Sequence, residues 1–422
     1  MRGVIGLWGF LQGCAREVAR GGKAYKAWIA VLLAVIALGV AAYVHQARTG
    51  LIATNLRDQV SWAFYIGNFT FLVGVAAAAV MLVIPAYVYG WKPIKEVVLL
   101  GELLAISALA MCLLFIMVDM GRPDRLLHMA PLLGTPNWPA SLLTWDALVL
   151  NVYLLVNVAV VLHILWKAYR GEQPTKKILV PLVIASIPIA ISVHTVTAFL
   201  YNGMAARPYW NASILAPRFL ASAFCSGPAV MLILFQILRR TAGIPIKDEA
   251  IWKVAELMAY AMFLNLFLLG AEVFKEFYSN TEHVLYTRYL WFGIGEHTAL
   301  VPYAWLALAC SVTAFLLFLV PKTRKNAITL NVGCVLIWAG VYIEKGMGLV
   351  IPGFTPDTLG EIYEYTPTFT EWGIAAGVFG VGFLIFTILV KISVPILVGT
   401  FRTGEAHAPS APAAGATPAL SP

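Results

Sequence analysis

Ten times along this chain an apolar run of about 20 residues recurs, the length that carries an α-helix across a hydrocarbon core about 30 Å thick. The runs are 27–45, 60–89, 97–118, 142–166, 178–200, 216–238, 250–275, 299–320, 327–351 and 372–396, numbered α1 to α10 below. Inside lipid every backbone N–H and C=O must be satisfied within the protein, and continuous runs of this length do so as helices. The expected fold is therefore an all-α integral membrane protein with about ten transmembrane helices. Composition agrees: at 60% hydrophobic and 12% charged residues, the chain cannot cover a soluble surface. The net charge of +8 does not indicate nucleic acid, because the basic residues stand singly between apolar runs instead of forming a stripe.

Those basic residues set orientation instead. The N-terminus, the connections after α2, α4, α6 and α8 and the C-terminus hold about 20 of the 29 Lys and Arg, which makes both termini cytoplasmic. The opposite side has the longest loops and most of the acids, including Asp58, Asp124, Glu282, Glu296, Asp357, Glu361, Glu364 and Glu371. An extracytoplasmic partner is expected to dock there. Residues 1–26 set Arg2, Arg16 and Arg20 against Val4, Ile5, Leu7, Trp8, Phe10 and Leu11, the pattern of an interfacial amphipathic helix. No small-residue cleavage site follows, so a removed signal peptide is not expected. Residues 401–422, rich in Ala and Pro, read as a disordered cytoplasmic tail.

An internal repeat is suggested by two helices. Gly101-Glu102-Leu103-Leu104-Ala105 opens α3, which reaches Asp119 seventeen residues after its glutamate; Ala255-Glu256-Leu257-Met258-Ala259 opens α7, which reaches Glu272 after sixteen. Either the coincidence is chance or 60–205 (α2–α5) and 206–351 (α6–α9) are two related four-helix bundles. In the second case 27–59 (α1 and its outer loop) and 352–400 (an outer loop and α10) flank them. A repeat four helices apart keeps its topology and is parallel.

An ionisable group at mid-bilayer costs roughly 3 kcal/mol on insertion scales and roughly 10 on simulation scales, so each one needs a reason. Near the outer ends of α3, α4 and α5 stand Asp119, with Arg122 nearby, Asp146 beside Trp145, and His194; His128, Tyr201 and Arg207 lie close in sequence. Protonatable groups beside an aromatic, apolar wall suit a quinone, which needs a hydrogen-bond partner for each oxygen and a base for the departing proton. An ion pair of Asp119 with Arg122, closing α3, is the structural alternative. A second population, Glu102, Glu256, Glu272 and Glu344, could relay protons or could pair within the bundle. The small-residue stretch from Gly74 to Ala79 allows close helix packing, and Pro188, Gly227 and Pro228 are candidate kinks.

Metal centres find little support. Cys14, Cys112, Cys225, Cys310 and Cys334 stand far apart with no CxxC or CxxCH, unlike zinc, iron–sulfur or c-haem motifs. His163 and His194, on adjacent antiparallel helices, differ in depth by roughly 20 Å and cannot share a haem. No intrinsic haem, iron–sulfur cluster or other metal is expected.

The runs Val60-Ser61-Trp62-Ala63-Phe64-Tyr65-Ile66-Gly67-Asn68, Val118-Asp119-Met120-Gly121-Arg122-Pro123, His194-Thr195-Val196-Thr197-Ala198-Phe199 and Ala216-Pro217-Arg218-Phe219-Leu220 resemble the NrfD/PsrC family of membrane quinone subunits. Glu272-Val273-Phe274, Gly295-Glu296-His297-Thr298 and Glu344-Lys345-Gly346-Met347-Gly348 are similar to its DsrP branch, which serves the DsrMKJOP complex of dissimilatory sulfur metabolism. The resemblance covers about residues 20–400. It implies a subunit of a prokaryotic inner-membrane complex that binds menaquinone or another quinone and holds no redox metal. Its implied partners are an extracytoplasmic iron–sulfur protein, a multihaem cytochrome c, a membrane cytochrome b and cytoplasmic iron–sulfur subunits. In the polysulfide reductase relative the pocket uses an Asn, a His and a Tyr. Here α2 offers Tyr65 and Asn68 but no histidine, which leaves the role of proton acceptor to His194 or Asp119. Two other function classes remain open, an ion- or proton-coupled transporter and a passive membrane anchor for redox subunits. Inverted repeats with unwound helices would mark the transporter.

Overall fold

The computed structural model describes residues 2–95, 97–129 and 133–401, with side chains from Trp8 onward. Ten of its helices are long and apolar enough to cross a membrane, as expected: α1 Lys23–Thr49, α2 Phe64–Val88, α3 Val98–Asp119, α4 Leu142–Tyr169, α5 Lys176–Asn202, α6 Leu215–Thr241, α7 Asp248–Ser279, α8 Val301–Leu319, α9 within Ala327–Gly353 and α10 Phe369–Val398. The chain is a multi-pass, all-helical membrane protein. Local chemistry sets several boundaries. Ser141 Oγ accepts the Thr144 N–H at the start of α4, Asn326 Oδ1 accepts the Ile328 N–H at the start of α9, and Thr368 with Glu371 forms a capping box on α10. Pro85 falls in a π-helical turn, Ile84–Val88, that ends α2.

The contacts form two rings. In one, α2 packs on α3, α3 on α4, α4 on α5 and α5 back on α2; in the other, α6, α7, α8 and α9 close in the same order. The rings meet where α2 crosses α6. Side chains must be small there, because a Cβ on Gly227 would stand 2.0 Å from the Cβ of Ala78. The whole of the regular helix Phe64–Val83 is consequently buried. Outside the rings, α10 packs on α3 and on α1, and α1 approaches α10 backbone to backbone at Gly39 and Gly377. A Cβ on Gly39 would lie 2.4 Å from the Cα of Gly377.

The two ends of the molecule differ. One carries the long connections that precede α2, α4, α6, α8 and α10 and is called the loop-rich end. The other carries the chain's N-terminal helix Arg2–Ala19, whose Phe10 packs on Trp166 and Tyr169 of α4 and on Phe401. The expected amphipathic segment is thus a helix lying on the short-loop end. The expected tail, from residue 402 onward, lies outside the described residues. Two boundaries differ from the sequence reading. A helix of nine residues, Val284–Phe292, forms in the connection between α7 and α8. The regular part of α9 stops at Lys345, where Gly346 leaves helical geometry, and the short turns Met347–Val350 and Ile351–Gly353 follow. The apolar run 327–351 passes through Gly346 without registering the break, and Val284–Phe292 falls between two runs.

Candidate functional site

The loop-rich end of the first ring gathers several of the expected residues. Ala190, His194, Thr197 and Tyr201 are spaced by four, three and four, so α5 presents them on one face. Asp146 of α4 is fully buried and accepts a hydrogen bond from Thr197 Oγ1 at 2.6 Å through Oδ1; its Oδ2 is buried without a partner. The His194 ring nitrogen Nδ1 lies 3.1 Å from the Ala190 carbonyl. A carbonyl only accepts, so Nδ1 carries a hydrogen, and in the uncharged form of the ring Nε2 is an acceptor. That Nε2 is buried and unpartnered. Thr70 of α2 gives its one hydrogen to the Ile66 carbonyl, so the Tyr201 hydroxyl donates to Thr70 Oγ1, 2.5 Å away. Trp62, Trp210 and Phe219 surround the Tyr201 ring at 5.9, 5.1 and 6.0 Å between centroids.

Around this core the other candidates divide. Tyr65 donates to Gln46 Oε1 at 2.7 Å, and Gln46 Nε2 donates to the Val118 carbonyl at 2.7 Å. These bonds fasten the ends of α1, α2 and α3 beside Asp119, whose Oδ1 is buried without a partner. Tyr201 is within electrostatic reach of both Asp146 and Asp119. Asn68 faces the second ring and accepts a hydrogen bond from Tyr342 of α9 at 2.8 Å. Arg207 lies over the Phe354 ring, 4.6 Å from its centre, at the edge of the aromatic group.

Three expected members are elsewhere. Arg122 is exposed and pairs with Asp124 at 2.8 Å, so it neither joins the buried acids nor closes α3 on Asp119. A partner two residues away in the same turn is reached at lower conformational cost than one under the surface. His128 is exposed in the turn Pro123–Met129. Trp145 turns outward onto Trp138, 3.8 Å between ring centroids, and donates to the Pro139 carbonyl. Being adjacent to Asp146 on a helix sends its side chain about 100° away, onto another face.

The second ring treats its acids differently. Arg218, in the first turn of α6, forms ion pairs with Glu272 of α7 and with Glu344 of α9, the latter at 2.7 Å, and Asn265 donates to Glu344 at 3.4 Å. Glu272 and Glu344 thus meet on one guanidinium. Glu102 is buried near the short-loop end with Oε2 unpartnered, whereas Glu256 is partly exposed and pairs with Lys253 at 3.2 Å. Lys345 parts from its neighbour Glu344: its Nζ donates to the Phe219 carbonyl at 3.1 Å and lies 4.4 Å over the centre of the Phe219 ring, between the two rings of helices.

Arg218, Thr70, Thr197 and Gln46 are contributors that the sequence reading did not single out. A signal existed for Arg218, a lone strong base at the start of an apolar helix. None existed for the threonines, which are ordinary filler on apolar helices, and Gln46 fell one residue past the expected end of α1.

A narrow cleft of about 40 Å³ reaches the Arg218 cluster and is lined also by Tyr209, Thr287, Trp291 and Leu349. Burial, and then the nearby Glu272, holds the Tyr209 phenol above its ordinary pKa, so it remains a donor.

Comparison with known proteins agrees with this architecture. The sequence pattern of the family described as polysulphide reductase, NrfD matches residues 52–355. A membrane subunit of a putative dimethyl sulfoxide reductase from Halobacterium salinarum is 24% identical over 407 residues, 85% of this chain and 89% of the relative. A selenate reductase subunit from Mesobacillus selenatarsenatis is 23% identical over 431 residues, 92% and 98% of the two chains. The Hdr-like menaquinol oxidoreductase integral membrane subunit of Archaeoglobus fulgidus is 23% identical over 385 residues, 87% and 93%. With the family pattern covering most of its length and ten membrane helices beneath it, the chain belongs to the NrfD, or polysulphide reductase, family.

Proposed function

We propose that the chain is the quinone-interacting membrane subunit of a respiratory redox complex, and that the quinone head is handled at the loop-rich end of the first ring. One observation carries this reading: Asp119 Oδ1, Asp146 Oδ2 and His194 Nε2 are buried polar atoms without partners. An unpaired buried polar atom costs about 1 to 3 kcal/mol, which a hydrogen-bonding ligand recovers. A hydroquinone supplies two hydroxyl donors, and the unpaired atoms include acceptors. In its oxidation QH2 becomes Q, two electrons and two protons. His194 Nε2 and Asp146 are the groups positioned to take the protons, and an extracytoplasmic iron–sulfur protein takes the electrons; quinone reduction runs the same steps backwards.

The Archaeoglobus relative, described as a menaquinol oxidoreductase subunit, supports menaquinone as the substrate. The basic excess at the short-loop end supports an orientation with both termini in the cytoplasm of a prokaryote and the site toward the outer face. In the fuller reading the partners include a multihaem cytochrome c, a membrane cytochrome b and cytoplasmic iron–sulfur subunits, the pathway is dissimilatory sulfur metabolism, and this chain supplies no redox metal.

The test is quinol oxidation by the purified complex with Asp119→Asn, Asp146→Asn or His194→Ala in this chain. A lost general base lowers turnover by about 100-fold or more, with the make-up of the complex unchanged. Wild-type rates in all three variants would remove the site from this ring.

A further inference from the structure

Lys345 is a buried base to which the chemistry above gives no task. It is 4% exposed and forms no ion pair among the described residues. Its Nζ donates to the Phe219 carbonyl at 3.1 Å, while its neighbour Glu344 turns to Arg218. A lysine inside a membrane span without a carboxylate against it is costly. One hydrogen bond to a carbonyl, which a neutral donor makes equally well, does not account for a cation there.

The backbone shows how Nζ reaches this place. Regular α9 ends at Lys345, and Gly346 leaves helical geometry against α2, where a Cβ on Gly67 would stand 3.4 Å from the Gly346 carbonyl carbon. The pairing of Glu344 with Arg218 anchors the residue before. From that end the side chain extends to α2 again, and a Cβ on Gly74 would stand 3.2 Å from Nζ. Phe219 links it to the first ring of helices. Nζ lies 4.4 Å from the centre of the Phe219 ring, and the same ring is 6.0 Å from that of Tyr201, between centroids. Tyr201 in turn donates to Thr70, one turn along α2 from Gly74. His194 is within electrostatic reach of Lys345, and Cys112 of α3 is within reach of both Lys345 and Asp146. Counted with the clasp, Arg218 and Lys345 stand beside Glu272 and Glu344, two bases with two acids, so the group is neutral overall when Lys345 holds its proton.

We infer that Lys345 is a positioning residue for quinone chemistry: the second ring holds its charge behind Phe219, where it stabilises negative charge developing on a head bound in the first ring. The inference rests on the quinone reading above and gives the second ring a part in that reaction. When the first hydroxyl of a hydroquinone loses its proton to a base of the first ring, the O–H electron pair stays on oxygen as an anion. The second proton and two electrons follow, the electrons to the iron–sulfur partner. A fixed positive charge in a low-dielectric surrounding favours that anion without reorganisation. A unit charge about 10 Å away at an effective dielectric of about 20 is worth about tenfold in a rate or a binding constant.

The test separates charge from packing. Lys345→Gln keeps a donor on a neutral side chain, and Lys345→Met, neutral and without a donor, is the second variant. The intact complex would be titrated with 2-hydroxy-1,4-naphthoquinone, an anion at neutral pH, and with 2-methyl-1,4-naphthoquinone, which is uncharged. Both variants are expected to weaken the anion about tenfold and to leave the uncharged ring within about twofold. In quinol oxidation kcat should fall about tenfold with KM little changed. Equal weakening of both ligands would make Lys345 a packing residue, and unchanged affinity for the anion would remove its charge from the reaction; either result overturns the inference. His194→Ala keeps the two failures apart. If it weakens both ligands while the Lys345 variants weaken neither, the quinone reading stands and only this inference falls. If it leaves both ligands and turnover unchanged, the quinone site itself is misplaced.

Discussion

At the loop-rich end the first ring of helices keeps Asp119, Asp146 and His194 away from any ion pair, while the second ring draws Glu272 and Glu344 onto Arg218. Each ring has to place acids within a membrane span, and each does so by a different device. A buried ion pair satisfies its members with one another and has little left to offer. A buried acid with a free oxygen is costly until something binds it. The first ring is on this view the reactive one, and the second is a fixed polar wall.

The largest effect is expected from breaking the clasp. Arg218→Met leaves two buried carboxylates uncompensated and should destabilise by about 3 to 5 kcal/mol, read as unfolding of the complex in detergent. Adding Glu272→Gln and Glu344→Gln to that chain should recover most of the loss. If Arg218→Met alone unfolds like wild type, the contrast between the rings fails. Next, Thr70→Val takes the acceptor from a buried tyrosine hydroxyl and should cost about 1 to 3 kcal/mol; no change would mean that Tyr201 finds another partner.

Asp119→Asn sharpens the comparison from the other side. With no ion pair to lose, it should change stability by less than about 1 kcal/mol even as it slows quinol oxidation. The smallest effect is a control at the short-loop end. Glu172, half-exposed between α4 and α5, is held below its ordinary pKa first by its hydrogen bond to Lys167 and then by Arg170. A lowered folded pKa gives stability that is full above the ordinary value of 4.5 and fades as pH falls through the folded one. The difference between wild type and Glu172→Gln should therefore shrink on acidification below 4.5; a difference that grows would reverse the sign.

The helices were legible because each is an unbroken apolar run, and Asp146 and His194 because an ionisable residue inside such a run is conspicuous. What one-dimensional order could not give is direction. Trp145 is adjacent to Asp146 yet points elsewhere, and Glu344 and Lys345 serve different sites. Nor does nearness in sequence ensure a shared role: Arg122, three residues from Asp119, prefers Asp124. The clasp was hidden because its three members come from α6, α7 and α9, and only packing brings them together.

The most direct measurement is the position of a tightly bound quinone analogue in a structure of the complex. Its head is expected beside His194 and Asp146, toward the loop-rich end. A head lodged near Glu102 and Glu256 at the short-loop end, with the loop-rich end empty, would contradict the assignment of the reactive site to the outer part of the first ring.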